Sequence, residues 1–331
     1  MLPEAPNERP DDCIQSDIEV RGLNSVLQTP AQSTITAGFR KRISSATVAV
    51  CTRDRPALLH KCLAAVSRLN PGPKQVLVID NSEGNSDTRK VAHDYGARYV
   101  VEPVPGLCRA RNRALAECET DIVVFIDDDI IPASNWLLQL LEPFSDEKTG
   151  ATTGRVVTPE ALVPDHHLRS RVLTNHDPHW FEIAAFGGLG LGANMAIRKR
   201  ACAPESFFDE RLGRGGPFEI GDESYAFASL LSKGYQIVYT PSAVVHHPPP
   251  TRSTIEREAR NSFTYWLLLF SRFPRQRLTL IRFLIGSLCG KRLESHRDSQ
   301  EPKKISSNSM VLKLTAALNG LRLFLSTPKP H

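Results

Sequence analysis

A chain of 331 residues, 41% hydrophobic and 23% charged, is long enough to bury a full core and has the make-up of an ordinary water-soluble globular protein. Its seven cysteines are scattered without a C-x-x-C pair, which argues against a zinc site or a disulfide framework and suits a reducing cytosol. The first residues do not read as a signal peptide, and no apolar run reaches the ~18 residues that cross a bilayer. The net charge of +5 is unevenly spread: from Thr251 onward 15 Lys/Arg face 5 Asp/Glu, so that region carries +10 and the preceding 250 residues −5. A basic tail on a mildly acidic body suits an anionic partner surface, lipid or nucleic acid.

Residues 1 to about 45 are polar and proline-rich without a sustained period, and are expected to be a loosely packed or disordered leader. The run Thr47–Cys51 predicts a first strand, followed by a helix from Arg55-Pro56 to Leu69 with Leu58, Leu59, Cys62, Leu63 and Val66 on one face. Gln75–Asp80 predicts a second strand, residues 84–95 a helix, and Ala97–Val101 a third strand. A helix from Leu107 to Glu117 then leads into the β-branched run Ile122–Ile126. This alternation predicts an α/β fold with a mostly parallel central sheet flanked by helices on both faces.

Beyond Trp136 the pattern predicts a helix to Phe144, a strand over Gly150–Val157 and an irregular stretch to about Asp177. Gly187–Gly192 (GGLGLG) reads as a loop before a short strand at Ala193–Ile197. It lies too far from the first strand–helix turn to be a dinucleotide fingerprint. Asp222–Ser232 predicts a helix, Gln236–Tyr239 a strand closing the core, and Ala243–Val245 another. From Ile255 onward the pattern is helical and basic, interrupted by an unstructured stretch near Ser295–Ser309.

Four features carry chemistry. Cys51-Thr52-Arg53-Asp54-Arg55-Pro56 ends the first strand, where backbone groups and arginines would hold a nucleotide. Asp80 ends the second strand, suited to accept from a base or ribose. Gly106–Asn112 opens a helix with Arg109 and Arg111, and helix N-termini and guanidinium groups both favour phosphate. Asp127, Asp128 and Asp129 end the fourth strand, where three mutually repelling carboxylates call for a cation or a cationic group; the alternative is a solvated acidic turn.

In order and spacing, CTRDRP, VLVIDNS, GLCRARNRAL, FIDDDIIP, GANMAIR, FDERLG, GDESYAF, SKGYQIVYTP and AVVHH closely resemble the family 2 glycosyltransferases over about Thr47–His247. That resemblance implies a GT-A fold of the Rossmann-like, nucleotide-binding kind, spanning residues 46–250 between the leader and a basic helical region at 251–331. It implies transfer from a nucleoside-diphosphate sugar to a glycan or lipid-linked hydroxyl, with inversion and a divalent cation, Mn²⁺ or Mg²⁺. Thr52 and Asp80 match the nucleobase end, with Arg53, Arg55 and Arg109 beside the donor and Arg111 and Asn112 in the segment next to the nucleotide. Asp127 and Asp129 match the D-x-D pair on ribose and metal. Asp128 is its variable middle, either donor-facing or a plain surface carboxylate. His247 matches a third metal ligand, or is an ordinary loop histidine. Trp180 and Asn194 are expected to line the sugar or acceptor pocket, or simply to pack.

The family commonly shows G-E-D where this chain has Gly221-Asp222-Glu223. By position Glu223 takes the base role and Asp222 orients; the swap also leaves room for a degenerate, inactive member. A sugar nucleotidyltransferase would want a G-x-G-T-R loop after the first strand, which CTRDRP is not. A nucleic-acid-binding role would leave the ordered carboxylates without a purpose. In the basic region, Arg257, Arg260, Arg272, Arg275, Arg277 and Arg282 alternate with aromatic and leucine residues. This suits either an amphipathic surface on an anionic membrane or helices packed on the core with solvated arginines. By analogy the expected setting is bacterial cell-surface glycan synthesis in the cytoplasm, peripheral to the inner face of the plasma membrane.

Overall fold

The computed structural model describes residues 46–158, 169–202, 207–248, 255–288 and 308–328. The expected leader lies outside the described residues, as does the expected unstructured stretch except Asn308 and Ser309, which begin a helix.

Strands β1 (Ala46–Thr52), β2 (Gln75–Asp80), β3 (Arg98–Val101) and β4 (Ile122–Asp127) form a parallel sheet in the order β3-β2-β1-β4. Their register aligns Thr52 with Asp80 and Cys51 with Asp127, so three carboxyl ends meet on one edge. The period of two sorts their side chains. Val48, Val50, Val124 and Ile126 face helices α1 (Pro56–Val66), α2 (Ser86–Asp94) and α4 (Trp136–Leu141). Ala49, Cys51, Val123 and Phe125 join a second core with α3 (Leu107–Glu117), α5 (Trp180–Ala185) and α6 (Asp222–Ser232). Pro56 opens α1, where its missing N–H costs nothing, and Asn85 caps α2 by accepting from the backbone N–H groups of Asp87 and Thr88.

The sheet continues through β8 (Asn194–Arg198), β6 (Thr149–Val157), β9 (Gln236–His246) and the two-residue β5 (Ile131–Pro132), with β7 (Arg171–Leu173) also on β9. Strand β8 runs antiparallel to both β4 and β6, which restores the common direction in β6 and β9. Among the described residues the sheet is mixed: six strands share one direction, with β8, β5 and β7 opposed. The two strands expected at Gln236–Tyr239 and Ala243–Val245 are one. Pro241 falls where the register jumps from Thr240↔Gly154 to Val244↔Arg155, so its missing N–H leaves no ladder bond unmade. Opposite this irregularity the strands approach so closely that a Cβ on Gly154 would collide with the Ala243 carbonyl and lie 2.5 Å from Asn194 Nδ2.

Helices α7 (Ile255–Arg272), α8 (Arg277–Leu288) and α9 (Asn308–Ser326) complete the described fold. Tyr265, Leu268, Leu269, Phe273 and Leu280 are buried in the same core as α3 and α6, so this region is joined to the body through apolar packing. Among the described residues no helix is long and apolar enough to cross a membrane.

Candidate active site

The carboxyl edge of β1, β2 and β4 borders a cleft of about 300 Å³ whose lining includes Thr52, Arg53, Arg55, Asn81, Asp127 and Arg214. Ligands bind at this edge of open α/β sheets because strand ends and helix N-termini diverge there.

The three carboxylates behind β4 have three different environments. Asp128 is fully buried: Thr52 Oγ1 donates to its Oδ2 at 2.6 Å and Arg55 Nη2 lies 2.5 Å from its Oδ1. Burial pushes its carboxyl up to about 6, against the pull of the Thr52 hydrogen bond and of Arg55. This corrects the reading of Asp128 as a surface carboxylate. A buried charge needs partners within the protein, and Thr52 and Arg55 supply them. Asp127 keeps an exposed edge toward the cleft, and burial raises its carboxyl above the usual range while Arg111 opposes that shift. Asp129 accepts from Arg55 Nη1 at 3.2 Å through Oδ2, whereas its buried Oδ1 has no hydrogen-bond partner.

That Oδ1 is 3.7 Å from His247 Nε2. The other ring nitrogen, Nδ1, faces the Pro248 carbonyl, which only accepts, so the proton of a neutral imidazole is assigned to Nδ1. A lone pair on Nε2 and an unpartnered carboxylate oxygen then face one another, and ligand atoms of Asp127, Asp129 and His247 lie within 4.8 Å of each other. Two hard oxygens and an imidazole with its other nitrogen anchored are a donor set that fits Mn²⁺ or Mg²⁺.

Arg111 joins this end to the start of α6. It is buried to 2% exposure, donates through Nη1 to Asp222 Oδ2 and through Nη2 to the Gly192 carbonyl at 3.1 Å, and lies 3.7 Å from Asp127 Oδ1. Its guanidinium sits 5.8 Å from the Phe125 ring centre and 5.7 Å from that of Phe208. Burial works against the charge, but Asp222 and Asp127 more than offset it and hold Arg111 firmly protonated.

Asp222 is therefore engaged by Arg111, and Glu223 is the acid of the pair with its proton in play. Burial, followed by the neighbouring Asp222 charge, pushes Glu223 up to about 8. The turn before it is tightly set: Gly221 has φ +82, and a Cβ there would lie 2.5 Å from the Tyr265 ring. Tyr265 comes from α7, and its buried ring packs against this turn.

Several other residues expected at the site bond within the fold. Asp80 is buried and accepts from Ser82 Oγ, the Asn85 N–H and Tyr99 OH, which fix it at the β2 end. Arg109 pairs with Glu210 at 2.7 Å. Asn112 exchanges two 2.9 Å bonds with the Phe208 backbone. Asn194, fully buried, accepts from Trp136 Nε1 at 2.7 Å and donates to the Arg155 and Ala243 carbonyls at 3.1 and 2.9 Å, which corrects its expected pocket role. Trp180 packs edge-on to Phe181 at the margin of the core. Arg53 lines the cleft with Asp54 3.7 Å away.

Sequence reasoning missed Arg214 and Tyr265. Arg214 is exposed beside the cleft, has no carboxylate partner among the described residues, and is held by its carbonyl, which accepts from the Leu107 N–H at 2.9 Å. Its signal was an arginine set between glycines, Gly213-Arg214-Gly215-Gly216.

Residues 47–202 match the family model described as glycosyl transferase family 2. An N-acetylglucosaminyltransferase of Neorhizobium galegae is 24% identical over 249 residues, 68% of this chain and 56% of its own length. The chain thus spans little more than half of that curated relative. Among solved structures, S. aureus TarS in complex with UDP-GlcNAc superposes with a TM-score of 0.57 at 13% identity, covering 85% of this chain and 81% of that one. A mannosyltransferase from Pyrobaculum calidifontis, in complex with GDP-Man and Mn²⁺, superposes with a TM-score of 0.55 at 14% identity over 93% of this chain and 94% of its own.

Proposed function

From a chain whose residues 47–202 match glycosyl transferase family 2 and which carries the GT-A fold, we propose an inverting transfer of a sugar from a nucleoside diphosphate to an acceptor hydroxyl, in cell-surface glycan synthesis. The observation that carries this reading is Arg111, which ties a cation-ready carboxylate pair at the strand edge to an ionisable glutamate at a helix start. An in-line displacement needs those two ends, one for the leaving diphosphate and one for the attacking hydroxyl.

The cleft beside Thr52, Arg53, Asn81 and Arg214 holds the nucleotide, with the Arg214 guanidinium set against the diphosphate. Asp127, Asp129 and His247 hold the divalent cation, which when bound offsets the negative charge of the leaving diphosphate. Arg55 and Thr52 fix Asp128, and through Arg55 also fix Asp129, so the pair is set before the donor arrives. Arg111 neutralises Asp222 and leaves Glu223 to take the proton from the acceptor hydroxyl. No covalent sugar–enzyme step is required, and the single displacement inverts the anomeric centre. UDP-GlcNAc and GDP-Man in the structural relatives support a nucleoside-diphosphate donor. The acceptor is a glycan or lipid-linked hydroxyl, and the basic α7–α9 region faces an anionic membrane surface, the plasma membrane's inner face.

Incubation with a panel of nucleotide sugars and Mn²⁺ tests the transfer. One donor should raise the melting temperature and be slowly hydrolysed. Asp129→Ala should abolish hydrolysis, while absence of donor binding and of turnover across the whole panel would sink the proposal. Arg214→Ala is expected to raise KM for that donor roughly tenfold, the loss of one charge-assisted hydrogen bond. Because the side chain is exposed and without an ion pair, its melting temperature should stay within about a degree of wild type.

A further inference from the structure

A second cavity, of about 770 Å³, lies where α7 and α9 meet the turn that precedes α6. Its walls carry Arg257, Arg260, Arg322, Asn319 and a single carboxylate, Glu219. Glu219 is already shared: Arg257 Nε donates to it at 2.7 Å, Asn261 Nδ2 at 3.0 Å, and Arg260 Nη2 stands 3.7 Å away. Among the described residues lining the cavity, three guanidinium groups stand against one carboxylate, so the described lining is net positive. Arg322 has no carboxylate partner among the described residues.

The rim is apolar. On α9 the leucines at 318, 321 and 325 are 60%, 38% and 74% exposed, and their spacing puts them on one stripe beside the stripe of Asn319, Arg322 and Ser326. Elsewhere in the helical region, Leu278, Ile281 and Ile285 form an exposed stripe of α8. Two candidate ligands explain only half of this. A free phosphate compound accounts for the arginines and leaves the leucines in water. A single-stranded nucleic acid would want exposed aromatic stacking platforms, and these stripes are aliphatic. A phosphate attached to acyl chains accounts for both halves.

We propose that this cavity seats the phosphate of an anionic phospholipid headgroup, with Leu318, Leu321 and Leu325 entering the acyl region beside it. The inference deepens the membrane-facing reading of α7–α9 and is independent of which sugar is transferred.

Co-sedimentation of the full chain with vesicles tests it, using phosphatidylcholine alone and phosphatidylcholine mixed with phosphatidylglycerol. Binding is expected only to the mixed vesicles. Arg322→Glu should weaken it roughly tenfold or more, as reversing a charge at a lipid surface does. Leu325→Asp should also weaken it, and inorganic phosphate should compete only partially. Both positions are exposed, so melting temperatures should hold. No vesicle binding, equal binding to both vesicle types, or binding untouched by Arg322→Glu would overturn the proposal. Full displacement by inorganic phosphate with Leu325→Asp behaving as wild type would overturn it in favour of a free-anion site. Thermal shift with nucleotide sugar and Mn²⁺ in the same variants keeps the readings apart, because donor binding should survive Arg322→Glu and Leu325→Asp.

Discussion

Arg111→Met is expected to cost about 3–5 kcal/mol of folding stability, the loss typical when one partner of a buried ion pair is removed. The side chain is almost the same length, so packing against Phe125 and Phe208 is largely kept and the effect is electrostatic. Asp222 loses its counter-charge, Asp127 loses a nearby cation, and the Gly192 carbonyl loses a donor. The sign with pH follows. Asp127, whose carboxyl burial already raises, loses the cation that opposes that shift, so the variant's native state binds more protons than its unfolded chain and its stability falls as pH rises from the ordinary carboxylate range toward neutrality. The gap between variant and wild type in urea unfolding should therefore widen over that interval. A constant gap would mean that the guanidinium contributes packing alone. Arg111→Lys should fall between the two, because one ammonium cannot reach two carboxylates and a carbonyl in a fixed fork.

Glu223→Gln separates catalysis from stability in opposite directions. As general base, Glu223 is worth ~10²–10⁴ in kcat, and the amide cannot take a proton. In the folded chain its carboxyl lies at about 8 against an ordinary 4.5. The native state consequently holds a proton that the unfolded chain has released, and the wild-type protein loses stability as pH climbs through that window. The glutamine variant has no such loss. Its melting temperature should exceed that of wild type by several degrees above pH 8 and converge with it below pH 5. Wild-type kcat should rise with pH along a limb governed by the same ionisation. If Glu223→Gln keeps its activity, Asp222 is the base and the pairing with Arg111 must break during turnover.

Local pattern made much of the fold readable. The β-branched runs gave β1, β2 and β4, and α3 and α6 begin and end where the sequence placed them. The antiparallel insertion of β8 was not readable, because direction depends on a crossing of the sheet edge that leaves no periodic trace. The strands expected at Gln236–Tyr239 and Ala243–Val245 are one, because the register shift at Pro241 keeps the strand whole. At the site, residue type told which groups could act and not where they point. Asp127 and Asp129 face a cation seat, whereas Asp128, between them on the same turn, is turned inward onto Thr52 and Arg55. Asp80, Asn112 and Asn194 have the right chemistry for a ligand and spend it on their own fold. Arg214 and Tyr265 reach the site from loops and helices distant in sequence, so spacing alone carried no sign of them.

The knot at Asn194 restricts how this half of the sheet can vary. Its amide serves three segments at once, and it does so only because Gly154 leaves room for the Ala243 carbonyl to approach. A side chain at 154 displaces the carbonyl that Asn194 needs, and a different residue at 194 strands the buried Trp136 N–H. Neither position has a neutral first step on its own. Drift in this region should proceed by paired replacements, and a homologue carrying a larger residue at 154 should also have abandoned the asparagine.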